Sequence, residues 1–136
     1  MKRFIKTNEL VDIYLSENPK DIDEIIGMSN LSPRRSGLSV VIWSDGQGVL
    51  RKVEHNTPRL KIGKPGEFAI VVSIEPEPKI LSQTKNIKKS ELAQCKEAMD
   101  YVGRNYDLFL KHFNDTDFSF DDEDLANALR ERGEYK

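Results

Sequence analysis

Between Leu92 and Phe113 seven residues, Leu92, Cys95, Met99, Val102, Tyr106, Phe109 and Phe113, recur at alternating spacings of three and four. That alternation keeps one continuous apolar stripe on a helix of roughly six turns. Such a stripe has to be covered along its whole length, and this requirement constrains the fold more than any other feature. Cys, Tyr and Phe are poor residues for a coiled-coil seam, so the expected cover is a β-sheet. Ser90 is the expected N-cap. On the outer face Asp100 precedes Arg104, and Asp107 precedes Lys111, each by four residues. Acid-first pairs of this kind add about 0.2–0.5 kcal/mol each. Gly103 reads as a weak point, about 1 kcal/mol worse than alanine.

The sheet itself is expected over 38–75. Leu38, Val40 and Ile42 alternate along one face of a strand and Val41 and Trp43 along the other, a pattern suited to an interior position. Asp45, Gly46 and Gly48 supply a turn, with Val49, Arg51 and Val53 as the expected hairpin partner. A third strand runs from Arg59 to Gly63, and Lys64-Pro65-Gly66 turns the chain. The fourth carries Phe68, Ile70, Val72 and Ile74 on one face and ends at Glu75-Pro76-Glu77-Pro78. Connections this short predict an antiparallel meander of about four strands.

A last helix is expected from Asp121 to Arg132, with Leu125, Ala128 and Leu129 inward and Gly133 as its stop. Residues 1–37 read as a helical and loop segment. Helix and strand both fit 7–17, with helix preferred; Asn18-Pro19 opens a short helix closed by Gly27, and 28–37 is rich in turn residues. The fold class is therefore α+β: one domain, with the sheet at 38–75 and two helices over 90–132.

Composition agrees. The 136 residues are 38% apolar and 32% charged, with a net charge of -2. This lies outside the disordered regime and calls for neither a membrane nor a polyanion. No stretch approaches the length of a transmembrane helix, and the polar N-terminus lacks the apolar core of a secretory signal. With Cys95 the only cysteine, an internal disulfide is impossible and a reducing, cytoplasmic setting is expected.

Chemistry-bearing residues are sparse. Cys95 lies on the apolar stripe, where a free thiol behaves as a small hydrophobe. His112 occupies the last turn of its helix and complements the dipole there. His55, between two strands, is the more suggestive histidine. Two histidines without ligand spacing do not specify a metal, and the turn glycines form no nucleotide-binding motif. No cofactor or metal is expected, and enzyme chemistry has no motif in its favour.

Charge is polarised along the chain. Arg34, Arg35, Arg51, Lys52, Arg59, Lys61 and Lys64 crowd the sheet region, whereas Asp115, Asp117, Asp121, Asp122, Glu123 and Asp124 form an acidic block. Either the basic residues form a face for phosphate or an acidic partner, or the acidic block neutralises them within the molecule or across a dimer, or both sets are simply solvated. Alternation places Arg59 and Lys61 on one strand face.

The segment Glu54-His55-Asn56-Thr57-Pro58-Arg59-Leu60-Lys61-Ile62, with the helix end Asn105 to Asn114, resembles a family of small bacterial proteins of unknown function. Those proteins carry Asp-His-Asn-Pro-Pro-His-Phe-His before a hairpin and helix, and the resemblance spans about residues 38–132. His55, Asn56 and Pro58 match. Arg59 and Lys61 stand where the family has its later histidines, leaving a basic pair suited to an anion in place of a histidine cluster. Members are often suspected components of toxin–antitoxin or phage-derived systems. The resemblance implies an interaction protein whose partner, another protein or a second copy, docks on a sheet edge or charged face. The alternative is a nucleic-acid-binding protein or ribonuclease-like toxin using the basic face. Candidate binding residues are Arg34, Arg35, Arg51, His55, Asn56, Arg59 and Lys61.

Overall fold

The computed structural model describes residues 30–43 and 57–136. The expectations for 7–17, for the helix after Asn18-Pro19 and for the strand at Val49, Arg51 and Val53 lie outside the described residues. Within them the chain runs β1 (Asn30–Leu31), α1 (Pro33–Ser36), β2 (Val41–Trp43), β3 (Arg59–Lys64), β4 (Phe68–Ser73) and β5 (Ile80–Gln83). Three further helices follow, α2 (Lys89–Arg104), α3 (Tyr106–Phe113) and α4 (Asp122–Glu131). The architecture is α+β, and every strand pairing is antiparallel.

The sheet is wider than its apolar alternation implies. Strand order is β1-β2-β3-β4-β5. β2 was expected to pair with the 49–53 segment; its described neighbours are β1 and β3, through Leu31↔Ile42 and Ile42↔Ile62. Both outer strands fall outside the expected strands, β1 inside the turn-rich 28–37 and β5 beyond Pro78, where the fourth strand was expected to have ended. Strands of two and four residues are too short to show a period of two, so only pairing reveals them. The same turn-rich stretch holds α1, whose Pro33 takes the first turn, where a missing N–H costs nothing.

One sheet face makes the core. Leu60, Ile62, Phe68, Ile70 and Val72 point to it and are buried, and α2 lies across β3 and β4 with Cys95 Sγ 3.9 Å from the Ile62 carbonyl oxygen. The stripe therefore packs on a sheet as expected, but not as one unbroken rod. The helix stops at Asn105, a buried residue whose Nδ2 donates to the Tyr101 carbonyl at 3.0 Å. Its backbone (φ -118°, ψ 23°) caps α2 and starts α3. A side chain that competes for the helix's own carbonyls is a reason for a break. In the restarted helix Tyr106 is 38% exposed, while Asn105 takes the inward place between Val102 and Phe109. Tyr101, off the expected stripe, is among the most deeply buried side chains, and its hydroxyl donates to the Glu134 carbonyl at 2.6 Å.

Three local expectations change for physical reasons. The N-cap position is Lys88 rather than Ser90, because the Glu91 carboxylate reaches back to accept the Lys88 N–H at 2.9 Å. Arg104 and Asp107 turn from their helical neighbours to the C-terminal segment: Arg104 Nε lies 2.9 Å from Glu134 Oε1, and Arg132 Nη2 lies 2.6 Å from Asp107 Oδ2. Gly103 is no weak point. A Cβ there would sit 2.5 Å from the Pro76 carbonyl oxygen, so the Pro76-Glu77-Pro78 loop crosses α2 only where no side chain stands.

α4 behaves as expected. Asp121 and Asp124 form a reciprocal cap, Leu125 and Leu129 are buried, and Gly133 (φ 74°) ends it. Among the described residues no helix is long and apolar enough to cross a membrane.

Candidate functional site

The described residues of the sequence-derived site fall at two places in the fold. Arg51, His55 and Asn56 lie outside the described residues. Arg59 and Lys61 do share the outer face of β3, opposite the core, and both are half-buried. Arg59 Nε donates to the Thr57 carbonyl at 3.3 Å. Arg34 and Arg35 sit elsewhere: the chain leaves β1 towards the Gly63 end of β3, whereas Arg59 starts that strand at its other end. Arg35 is tied to the C-terminus, its carbonyl accepting the Lys136 N–H at 2.8 Å and its Nη1 donating to the Lys136 carbonyl at 3.4 Å.

Lys61 lines an open cavity of about 300 Å³ with Trp43, Gly66, Glu67 and Thr84. Trp43 is buried although it lies on the face away from the core cluster, and its Nε1–H has no acceptor among the described residues. Thr84, on another wall, has its hydroxyl committed to the backbone. Its Oγ1 accepts from the Ala69 N–H at 2.9 Å and donates to the Ala69 carbonyl at 3.1 Å.

The acidic block is organised locally. Asp115 Oδ1 accepts from the Ser119 N–H and hydroxyl, each at 3.0 Å, and Asp121 and Asp124 cap α4. His112, buried, places Nε2 2.7 Å from Asp122 Oδ1 and so joins α3 to α4. Cys95 is fully buried, and burial, reinforced by the Glu91 charge, pushes its thiol up to about 11. That is the opposite of an activated nucleophile.

The feature that sequence reasoning missed is β5. It ends the sheet, its one neighbour among the described residues being β4. All four of its residues are exposed, including Ile80 at 37% and Leu81 at 43%. Its pairing is irregular: Ile70↔Gln83 and Val71↔Ser82 are followed by Val72↔Ile80, which leaves Leu81 as the extra residue of a bulge. At its start the Ser73 hydroxyl accepts the Lys79 N–H at 2.9 Å and hydrogen-bonds the Glu75 carboxylate, so a polar bracket holds the returning chain. The signal for this strand was the Ile80-Leu81 pair just after Pro78, too brief to register as a strand beside Ser82 and Gln83.

Thr84 donates its N–H to the Ala69 carbonyl at 3.0 Å, and alternation along the ladder then turns Ser82 inward and Gln83 outward. The Gln83 N–H and C=O therefore face the open side. An outward backbone donor and acceptor, next to two partly exposed aliphatic side chains, is a place where a strand can be added.

Comparison with protein-family models, with curated proteins and with solved structures finds no match to this chain.

Proposed function

We propose that the chain is a non-enzymatic interaction protein that binds a protein partner by adding a strand to β5. One observation carries the reading: an edge strand exposed over its whole length, with Ile80 and Leu81 about two-fifths exposed and outside the core cluster. Sheet edges are commonly protected by covers, charges or proline, because an open ladder pairs with whatever strand it meets. Here the bulge at Leu81 and the flanking Lys79 and Lys85 confine that pairing to the stretch about Gln83, and apolar side chains lie on the edge strand itself. The candidate reactive groups have structural roles, Cys95 in the core and His112 on Asp122. A toxin–antitoxin or phage-derived setting, which the family resemblance suggests, would supply a small protein as the ligand.

Site-specific photo-crosslinking tests the reading. A photoreactive residue at Leu81, on the edge, is compared in the protein's own cells with one at Glu97, exposed on α2. The expected result is a discrete adduct from position 81 that is absent from position 97 and disappears in the Gln83→Pro variant. Identical adducts from both positions, or none from position 81, would refute it.

A further inference from the structure

Phe118 is the most exposed large apolar side chain among the described residues, at 78%, and its backbone lies in the left-handed region at φ 62°. The other described non-glycine residue with positive φ is Asn86, a type that tolerates it; a bulky aromatic does not. Its neighbours fix Phe118 there. Ser119 donates its N–H to Asp115 Oδ1 and Asp117 Oδ1, at 3.0 and 3.2 Å, and its hydroxyl to Asp115 Oδ1 at 3.0 Å. On the other side Phe120 is buried in the core, with Lys111 Nζ 4.5 Å from its ring centre. The loop between α3 and α4 thus sends one phenyl ring into the core and holds another out in water. Neither the backbone conformation nor the exposure of the outer ring favours folding. Asparagine would suit both the left-handed backbone and the solvent better. A single exposed apolar residue is ordinary, but one kept exposed in a conformation it disfavours is a local strain, and such strain collects at functional sites.

Charge around the ring is mostly of one sign. Asp115 and Asp117 precede it, and Asp121, Asp122, Glu123 and Asp124 follow. Asp117, Asp121, Glu123 and Asp124 are exposed. The described contacts set Lys111, over Phe120, and His112, on Asp122, against them, so the loop remains acidic. Anionic lipid and nucleic acid are therefore repelled. An aromatic anchor within a polar rim is the anatomy of a protein–protein hot spot. We infer that Phe118 enters an apolar pocket on a protein partner whose rim carries Lys or Arg. The inference stands apart from the edge pairing of β5.

The test places a benzophenone side chain at position 118 of the full chain, which keeps an aromatic group there, and crosslinks it in the protein's own cells. The adduct is mapped by mass spectrometry to the residue it joins. The expected result is a discrete adduct, absent from position 97, whose partner residue lies in an apolar pocket flanked by Lys or Arg. Its yield should fall about fivefold in Asp117→Asn/Glu123→Gln, which removes two exposed charges and keeps the Asp117 acceptor for Ser119. Phe118→Asn should leave the melting temperature unchanged or raise it. No adduct from position 118, an adduct mapped to a second copy or to an acidic surface, or a yield indifferent to the charge variant would overturn the inference. So would a melting temperature lowered by several degrees in Phe118→Asn, which would make the outer ring part of the architecture.

Discussion

The corner where α2, α3 and the C-terminus meet and the edge formed by β5 treat polar groups in opposite ways. At the corner the described contacts close on one another. Tyr101 donates to the Glu134 carbonyl, Arg104 grips the Glu134 carboxylate, and Arg132 bridges Asp107 and Asn105. At the edge the outward N–H and C=O of Gln83 and the side chains of Ile80 and Leu81 face solvent. Satisfied groups specify an architecture, whereas outward backbone groups at a sheet edge stay open to pairing. Cys95 and His112, which attract attention in the sequence, hold the fold, while the candidate site lies in a short and inconspicuous strand.

Mutations should separate the two regions. The largest effect is expected where α3 meets the core. Phe109→Ala, at a buried position in contact with the Tyr101 ring (centroids 6.2 Å apart), should cost about 3–5 kcal/mol in urea unfolding. A loss below 1 kcal/mol would mean that the restarted helix is not part of the core.

Gly103→Ala comes next and discriminates most sharply. On helix propensity alone it would stabilise by about 1 kcal/mol. Against the Pro76 carbonyl it should instead destabilise by about 1–3 kcal/mol, seen as a lower melting temperature. A stabilised variant would show that the Pro76-Glu77-Pro78 crossing is not close.

The ionic corner should contribute less. Its pairs are largely exposed, so Arg104→Gln and Arg132→Gln should each cost about 0.2–1 kcal/mol. Side-chain hydrogen bonds from Arg132 and Arg104 hold the Asp107 and Glu134 carboxyls below their ordinary range. Because the folded pKa values are depressed, this stabilisation is complete at neutral pH and fades as pH falls through the carboxylate range, below about 4. The gap between the wild type and the double variant should therefore close in acid. A gap that persisted there would place the effect of the arginines in packing rather than charge.

Smallest of all should be Leu81→Ser, an exposed substitution on the bulge, within about 0.5 kcal/mol of the wild type in stability. A loss of several kcal/mol would show that Leu81 belongs to the architecture, and the contrast between corner and edge would collapse.

What could be read in advance follows the range of each signal. The stripe through Cys95, Val102, Phe109 and Phe113, the strands at Arg59–Lys64 and Phe68–Ser73 and the capped final helix are repeated local patterns, and each appears where expected. The break at Asn105 was not legible, because Asn is tolerated in a helix until its side chain finds the Tyr101 carbonyl and the Arg132 guanidinium, the latter 27 residues away in the chain. The role of Gly103 was hidden for a similar reason, since propensity ranks a glycine without knowing what passes over it. Of the candidate site, the pairing of Arg59 and Lys61 on one face was legible; the separation of Arg34 and Arg35 from them depends on strand order.

From its residues alone, then, the chain is determined to be an antiparallel sheet under amphipathic helices, since periods of two and of three to four are properties of the backbone and need no distant partner. Which strands lie at the edges, where a helix must stop and which apolar residues stay in water were decided by tertiary structure. Each depends on what the rest of the molecule leaves uncovered, and Ile80 and Leu81 are apolar residues like any others until, among the described residues, β4 is the one strand beside theirs.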